Sequence, residues 1–261
     1  MLDAVPFKEA IANLQKKNLL PLNLDSAQIR QLEAALRRQS IFSADTTITG
    51  YLEEIKKTVA SIIEPKQVTR EGMTQTVTDG FNPATARANL RATLQRFGYK
   101  PDEAIAGTIK DLSSDARLNL VVKTNTELAQ GAGHFIQQNM DPDVVDEYPA
   151  LELVRYEEKA VPRDWEQRWR LAASVAGDPA AAAALELNGR MAALKSSGIW
   201  QALGDGEGGY DDTLGNPFPP FAFNSGMWTE EVSRKEAVDL GLLDDDEKAE
   251  PAKLDLAELF A

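Results

Sequence analysis

The stretch that decides the fold is residues 113–139, SSDARLNLVVKTNTELAQGAGHFIQQN, with residues 148–169, YPALELVRYEEKAVPRDWEQRW, beyond a Pro/Asp turn. In the first part Leu118, Val121, Val122, Leu128, Ala129, Ala132, Phe135 and Ile136 recur at three- and four-residue steps. That period places them on one face of a long amphipathic helix. Ser113 and Ser114 both suit its N-cap. Asp141-Pro142 ends it, because proline has no N–H and its ring clashes with a continuing helix. In the second part Leu151 and Leu153 alternate with Glu152, which reads as a short strand over residues 151–156. The strand runs straight into Val161-Pro162-Arg163-Asp164-Trp165. Helix, strand and Pro-Arg-Asp turn form the unit around which the rest is arranged.

Upstream, apolar residues in helical phase predict helices over residues 6–17, over 26–38 with Asp25 or Ser26 as cap, and over 48–63. Residues 64–79 are polar and Thr-rich and read as loop or frayed helix. Pro83 opens a helix that ends at Gly98, and Pro101 opens a short one to Leu112. Downstream, residues 164–176 read as a helix presenting Trp165 and Trp169 on one face, and the Ala180–184 run starts a helix reaching Leu194. Residues 198–228 are rich in Gly and Pro yet carry Trp200, Tyr210, Phe218, Phe221, Phe223 and Trp228, so an ordered loop is expected. A helix is predicted over residues 229–240. Residues 244–261 read as an acidic linker followed by a small amphipathic peptide. The expected class is mainly α with a small β component: a helical lobe over 1–112, a compact helix–strand α+β domain over 113–243, and the 244–261 linker and docking peptide.

Charge divides the chain unevenly. Residues 1–112 hold 15 Lys and Arg against 13 Asp and Glu, a balance of +2; residues 113–261 hold 13 against 28, a balance of −15. An acidic surface of that size repels nucleic-acid phosphates, so direct DNA binding is not expected. Arg30, Arg37, Arg38, Arg87, Arg91 and Arg96 are the residues a nucleic-acid clamp would use, and helical spacing puts several of them on solvated faces. The chain has no cysteine, which removes disulfides, thiolate metal sites and a Cys nucleophile. No apolar run is long enough for a membrane span, and the N-terminus, with Asp3 and no apolar core, does not read as a secretory signal.

Candidate chemistry is sparse. His134 is the single histidine, without an HExxH or GxSxG context, so a structural or surface role is expected. Asp205, Glu207, Asp211 and Asp212 lie among glycines, a composition that suits calcium, but the EF-hand order is missing and an ordinary solvated turn is the expectation. Arg155, Arg163, Asp164 and Arg168 gather in sequence around Trp165 and Trp169; the reading preferred is a structural Arg–Asp network with the indoles in the core. No catalytic, cofactor or metal residue is assigned.

Three segments, SDARLNLVVKTNTELAQGAGHF, YPALELVRYEEKAVPRDWEQRW and GNPFPPFAFNSGM, together resemble the phage head morphogenesis family, the Mu protein F-like minor head proteins. Arg117, Thr124, Asn125 and Ala129 match the family's helix, Tyr148, Pro149 and Arg155 its strand, and Pro162, Arg163 and Asp164 its turn. With Trp165 and Trp169 these residues are expected to form a structural core. The chain departs from the family where Pro219-Pro220-Phe221-Ala222-Phe223-Asn224 replaces a His/Cys-bearing loop, so aromatic packing is expected there. The resemblance implies a bacteriophage or prophage minor head protein, portal-associated, acting in capsid assembly and DNA packaging or delivery without being an enzyme. It implies portal and capsid partners, a possible homo-oligomer, and a place in the virion or, during assembly, the host bacterial cytoplasm. Leu254, Leu256, Leu259 and Phe260 are the expected docking residues. The alternative from a different class is a metal-dependent hydrolase or effector using the acidic loop 205–212.

Overall fold

The computed structural model describes residues 8–25, 28–29, 32, 34–64, 66–70, 73–77, 83–206 and 208–252. In chain order the elements are α1 (Lys8–Lys16), β1 (Asn18–Leu19), α2 (Ala34–Arg38), β2 (Ser40–Ile41), α3 (Thr49–Ile63), β3 (Lys66–Arg70), β4 (Met73–Val77), α4 (Pro83–Arg96) and α5 (Asp115–Met140). There follow α6 (Pro142–Glu147), β5 (Ala150–Arg155), α7 (Trp165–Ala176), α8 (Pro179–Asn188), β6 (Ala192–Leu194), α9 (Ile199–Asp205), β7 (Met227–Val232) and α10 (Arg234–Asp239). The fold is mainly α with a small β component: about half of the chain is helical and about a tenth is strand.

The chain divides into two compact units, one mainly Gln39–Gly133 and the other mainly His134–Leu259, joined in the second by α2. The division falls inside α5, whereas the sequence reading sets its boundary ahead of that helix, at 112/113. The reason lies in the length of the apolar face. Leu118, Val121 and Val122 enter the core of the first unit, while Phe135 packs its ring 5.5 Å from that of Phe218 in the second. The Ser114 hydroxyl accepts the Arg117 N–H at 3.2 Å and caps α5, as expected of a serine there.

The first unit packs α1, α3, α4 and the start of α5 around Leu14, Tyr51, Leu52, Ile55, Leu90 and Leu94. It is not purely helical, as the sequence reading had it. β1 pairs with β2 in parallel, Asn18 opposite Ser40. Residues 66–77, read as loop or frayed helix, are the antiparallel hairpin β3–β4, with Arg70 opposite Met73. Asp25 caps as expected: its carboxylate accepts the Gln28 N–H, and the Gln28 side chain accepts the Asp25 N–H. The helix expected over residues 101–112 does not form. Local side chains compete with it: Asp111 gathers the N–H groups of Gly107 and Ser113 and the hydroxyls of Ser113 and Tyr99. Lys17 is 5% exposed in this unit, and the neighbouring Lys56 ammonium donates to the carbonyls of Gln15 and Lys17 at 2.7 Å each.

The second unit is a three-stranded antiparallel sheet, order β6-β5-β7, packed with helices. β5 lies at its centre, Ala150 facing both Leu194 and Val232. Asp164 caps α7 through the Gln167 N–H at 2.9 Å, and Asp178 caps α8 through Ala181. Two helices expected here are corrected. The alanine helix stops at Asn188, where Gly189 takes a left-handed conformation (φ 69°), and residues 192–194 become β6. Residues 229–240 split: the first half completes β7, and Ser233 with Glu236 forms a capping box that starts α10. Residues 244–252 are not a free linker either, because Arg234 donates to the carbonyls of Asp245 and Glu247. The docking residues Leu254, Leu256, Leu259 and Phe260 lie outside the described residues.

Candidate functional site

The polar constellation of the second unit is built where α7 meets the Gly/Pro-rich loop after α9. One face of α7 buries Trp165, Arg168, Trp169, Ala172 and Ala173. An arginine among tryptophans needs its charge matched, since an unpaired buried ion is costly. The match is Asp212, whose two oxygens accept from Arg168 Nη1 at 2.7 Å and Nη2 at 2.9 Å. The guanidinium carbon lies over the Tyr210 ring, 4.0 Å from its centre, and 5.0 Å from that of Trp165. Arg163, from the Pro-Arg-Asp turn, brings Nε within 2.7 Å of the same carboxylate. Its Nη2 and Nη1 go on to the carbonyls of Phe223 and Asn224, at 2.7 and 3.3 Å.

Burial pushes the Asp212 carboxyl up, but the Arg168 hydrogen bonds and the two arginine charges outweigh it. The group lies below the usual aspartate value and stays ionised. The loop beyond is fixed by the same chemistry. Leu214 N–H meets the Phe221 carbonyl at 2.9 Å and Phe223 N–H meets that of Asp212 at 3.1 Å. Arg37 and Arg38 of α2 donate to the carbonyls of Thr213 and Gly215. A loop without a ladder has carbonyls to satisfy, and arginines supply the donors. Gly204 lets α9 touch this loop: a Cβ there would stand 1.7 Å from the Asn216 carbonyl oxygen. Below, the Trp200 ring stands edge-on to Trp169 at 5.4 Å and stacks on Phe221 at 6.0 Å. Aromatic packing therefore fills the Pro-rich loop, as the sequence reading expects.

The structure brings Arg163, Arg168, Trp165 and Trp169 together and leaves Asp164 and Arg155 apart. Asp164 is spent on the α7 cap. Arg155 stands exposed at the end of β5. Pro162 is exposed in the turn. Arg117, Thr124 and Asn125 are buried in the first unit. Arg117 Nη2 donates to the Ser43 hydroxyl at 3.0 Å and the Ala44 carbonyl at 2.8 Å, tying α5 to the turn after β2. Asn125 donates to the Val121 carbonyl one turn back. These are positions that orient backbone.

The carboxylates of the acidic loop do not converge. Asp212 is taken by two arginines, Asp205 accepts from Gln201 at 3.2 Å, and Glu207 lies outside the described residues. Among the described residues no three carboxylate, histidine or cysteine side chains gather around a common point. His134 is exposed and sets its ring edge-on to Trp228 at 5.6 Å. Of the arginines of the clamp reading, Arg87 and Arg91 reach Asp115, at 3.4 and 2.6 Å, Arg96 lies over Phe97, Arg37 and Arg38 bond the loop carbonyls, and Arg30 lies outside the described residues. Among the described residues no helix is long and apolar enough to cross a membrane.

Sequence reasoning missed Lys195, which is 2% exposed. Its ammonium donates to the Gln138 carbonyl and to Glu231, each at 3.0 Å, linking α5, the turn after β6, and β7. Burial lowers its pKa and Glu231 opposes the shift. No local pattern marks such a residue, whose partners lie 57 and 36 positions away.

No family model matches the chain, and no curated protein or solved structure matches it.

Proposed function

We propose that this chain is a minor head protein of a tailed bacteriophage or prophage. It acts by protein–protein contacts in procapsid assembly near the portal, and in packaging or delivering DNA. One observation carries the reading on the structural side: the arginines and acid that the sequence brings into view close on each other. Arg168 and Arg163 consume both oxygens of Asp212 and then the carbonyls of the Pro-rich loop. A constellation spent in this way positions a surface and is not left available for a substrate. The resemblance of the three quoted segments to head morphogenesis proteins supplies the kind of surface. The acidic balance of residues 113–261 supports protein partners over DNA.

The test is co-expression with portal and major head subunits from the same genome, followed by sedimentation of the assembled heads. The expected result is cosedimentation with heads or portal rings at low copy number. Free protein at the top of the gradient with both subunits overturns the reading. Titration calorimetry with calcium, magnesium and manganese tests the alternative in the same preparation; heat that disappears in Asp205→Asn would favour the hydrolase or effector.

A further inference from the structure

The loop between β5 and α7, residues 156–163, presents large apolar side chains to solvent and turns its basic ones inward. Tyr156 is 83% exposed and Val161 86% exposed, among the most exposed large apolar side chains described. Ala160 and Pro162 are exposed beside them. The basic members of the same loop turn to the protein, while Glu158 stays exposed. Lys159 keeps 15% of its side-chain exposure and bonds Glu157 at 2.7 Å and Asn224 at 2.8 Å. Arg163 reaches Asp212 and the carbonyls of Phe223 and Asn224. A solvated loop ordinarily turns its lysines and arginines outward and its large apolar side chains inward, which is favourable on both counts.

The loop is also held at its base. The N–H groups of Tyr156 and Glu157 both donate to the Gly226 carbonyl, at 2.9 and 3.0 Å. Gly226 has φ 67°, and a Cβ on it would lie 2.5 Å from the Glu157 carbonyl oxygen. No side chain fits between loop and strand at that point. Two apolar side chains on a braced backbone lose little conformational freedom when they are covered, which is what a docking anchor requires. Glu158 and Asp164 are exposed at either side, and the stretch from residue 113 onward carries a balance of −15. A partner with an acidic face would be repelled.

We propose that residues 156–163 form a pre-organised docking ridge, Tyr156 and Val161 being its anchors. The partner is a protein whose receiving surface is an apolar hollow rimmed by lysine or arginine. The choice of probe rests on the assembly reading above; the ridge itself does not.

Purified portal rings and purified major head subunits are the probes, immobilised separately. The chain, Tyr156→Ser/Val161→Ser, Glu158→Lys and Leu187→Ser are passed over each. Leu187 is 81% exposed on α8 and serves as an apolar control. The expected result is that one probe binds the chain, that the double variant binds at least about tenfold more weakly, that Glu158→Lys is weaker by several-fold, and that Leu187→Ser is unchanged. A double variant that binds like the parent overturns the ridge and leaves the assembly reading in place. If neither probe binds the parent, the assembly reading falls, and retention on a phenyl matrix decides the ridge. Earlier elution of the double variant, with Leu187→Ser eluting like the parent, supports a presented apolar surface; equal retention of all three overturns it. Matching circular dichroism and melting curves of parent and variants confirm that only the surface has changed.

Discussion

Arg168 and Asp212 meet fork to fork, Nη1 to Oδ1 at 2.7 Å and Nη2 to Oδ2 at 2.9 Å, with the guanidinium over Tyr210. The pair joins α7 to a loop that has few ladder bonds of its own. Removing Arg168 leaves Asp212 charged and half-buried with Arg163 still beside it, a cost of about 2 kcal/mol. Arg168→Ala is therefore expected to destabilise by about that amount. Arg168→Lys keeps the charge but loses the fork and the guanidinium over Tyr210, and about half the cost is expected. Urea unfolding followed by tryptophan fluorescence measures both, since Trp165 and Trp169 lie on the same helix face. Equal stability of all three proteins would mean that the loop is held by its aromatics and by Arg37, Arg38 and Arg163 without Arg168.

The same pair sets an acid response. Asp212 sits below the ordinary aspartate value in the folded protein. Its contribution to stability is present above the unfolded value, about pH 4, and is lost as pH falls below that through the folded value. Asp212→Asn has no carboxylate to titrate at this position. The stability difference between parent and Asp212→Asn should hold steady from pH 7 to pH 5 and shrink below about pH 4. Denaturant midpoints across that range check it.

Lys17 gives a response of opposite sense. Burial, with the Lys56 charge adding to it, lowers its pKa from 10.5 to about 8. The unfolded chain therefore holds a proton between those two values that the folded chain has released, and stability rises with pH across the window. Below pH 8 the full penalty applies, roughly 3 kcal/mol for a shift of this size. Lys17→Met is expected to be more stable than the parent at pH 7, with the advantage fading as pH approaches 10. Denaturant midpoints at pH 7, 8.5 and 10 follow the convergence; a gap that stays constant would show that Lys17 is charged throughout.

What was legible in the sequence follows from which forces are local. The α5 face from Leu118 to Ile136 was readable because a 3.6-residue period is written into the chain itself. Asp25 and Ser114 were readable as caps because a cap bonds within three residues of itself. β7 was not: its Trp228-Thr229-Glu230-Glu231 run becomes a strand through pairing with β5, more than seventy residues earlier in the chain. The β3–β4 hairpin had a weak signal in its threonines and valines, masked by its polarity. The Arg168–Asp212 pair joins residues 44 apart and the Arg37 contact to Thr213 spans 176. Sequence showed arginines in want of partners and acids in a loop, and only the fold showed that they belong to each other.

The C-terminal segment separates into an anchored part and a remainder, and truncation tests the two differently. Arg234 holds the Asp146 carboxylate at 2.5 Å and donates to the carbonyls of Asp245 and Glu247 at 3.2 and 2.9 Å. The Ala249 N–H points to the same Asp146, and the Ala252 N–H meets the Asn139 side chain at 2.7 Å. Ending the chain after Ala252 keeps every one of these bonds, so its melting temperature should match the parent's. Ending it after Leu243 removes the carbonyls that Arg234 bonds and the cover that Ala249 provides. Four bonds are lost, and at about 0.5–1 kcal/mol each a loss of roughly 2–4 kcal/mol is expected, enough to lower the melting temperature by several degrees. On the assembly reading, the chain ending at Ala252 is folded but binds portal or head subunits more weakly, because Leu254, Leu256, Leu259 and Phe260 are gone. Full binding by that truncated chain would leave the 156–163 ridge as the contact that matters.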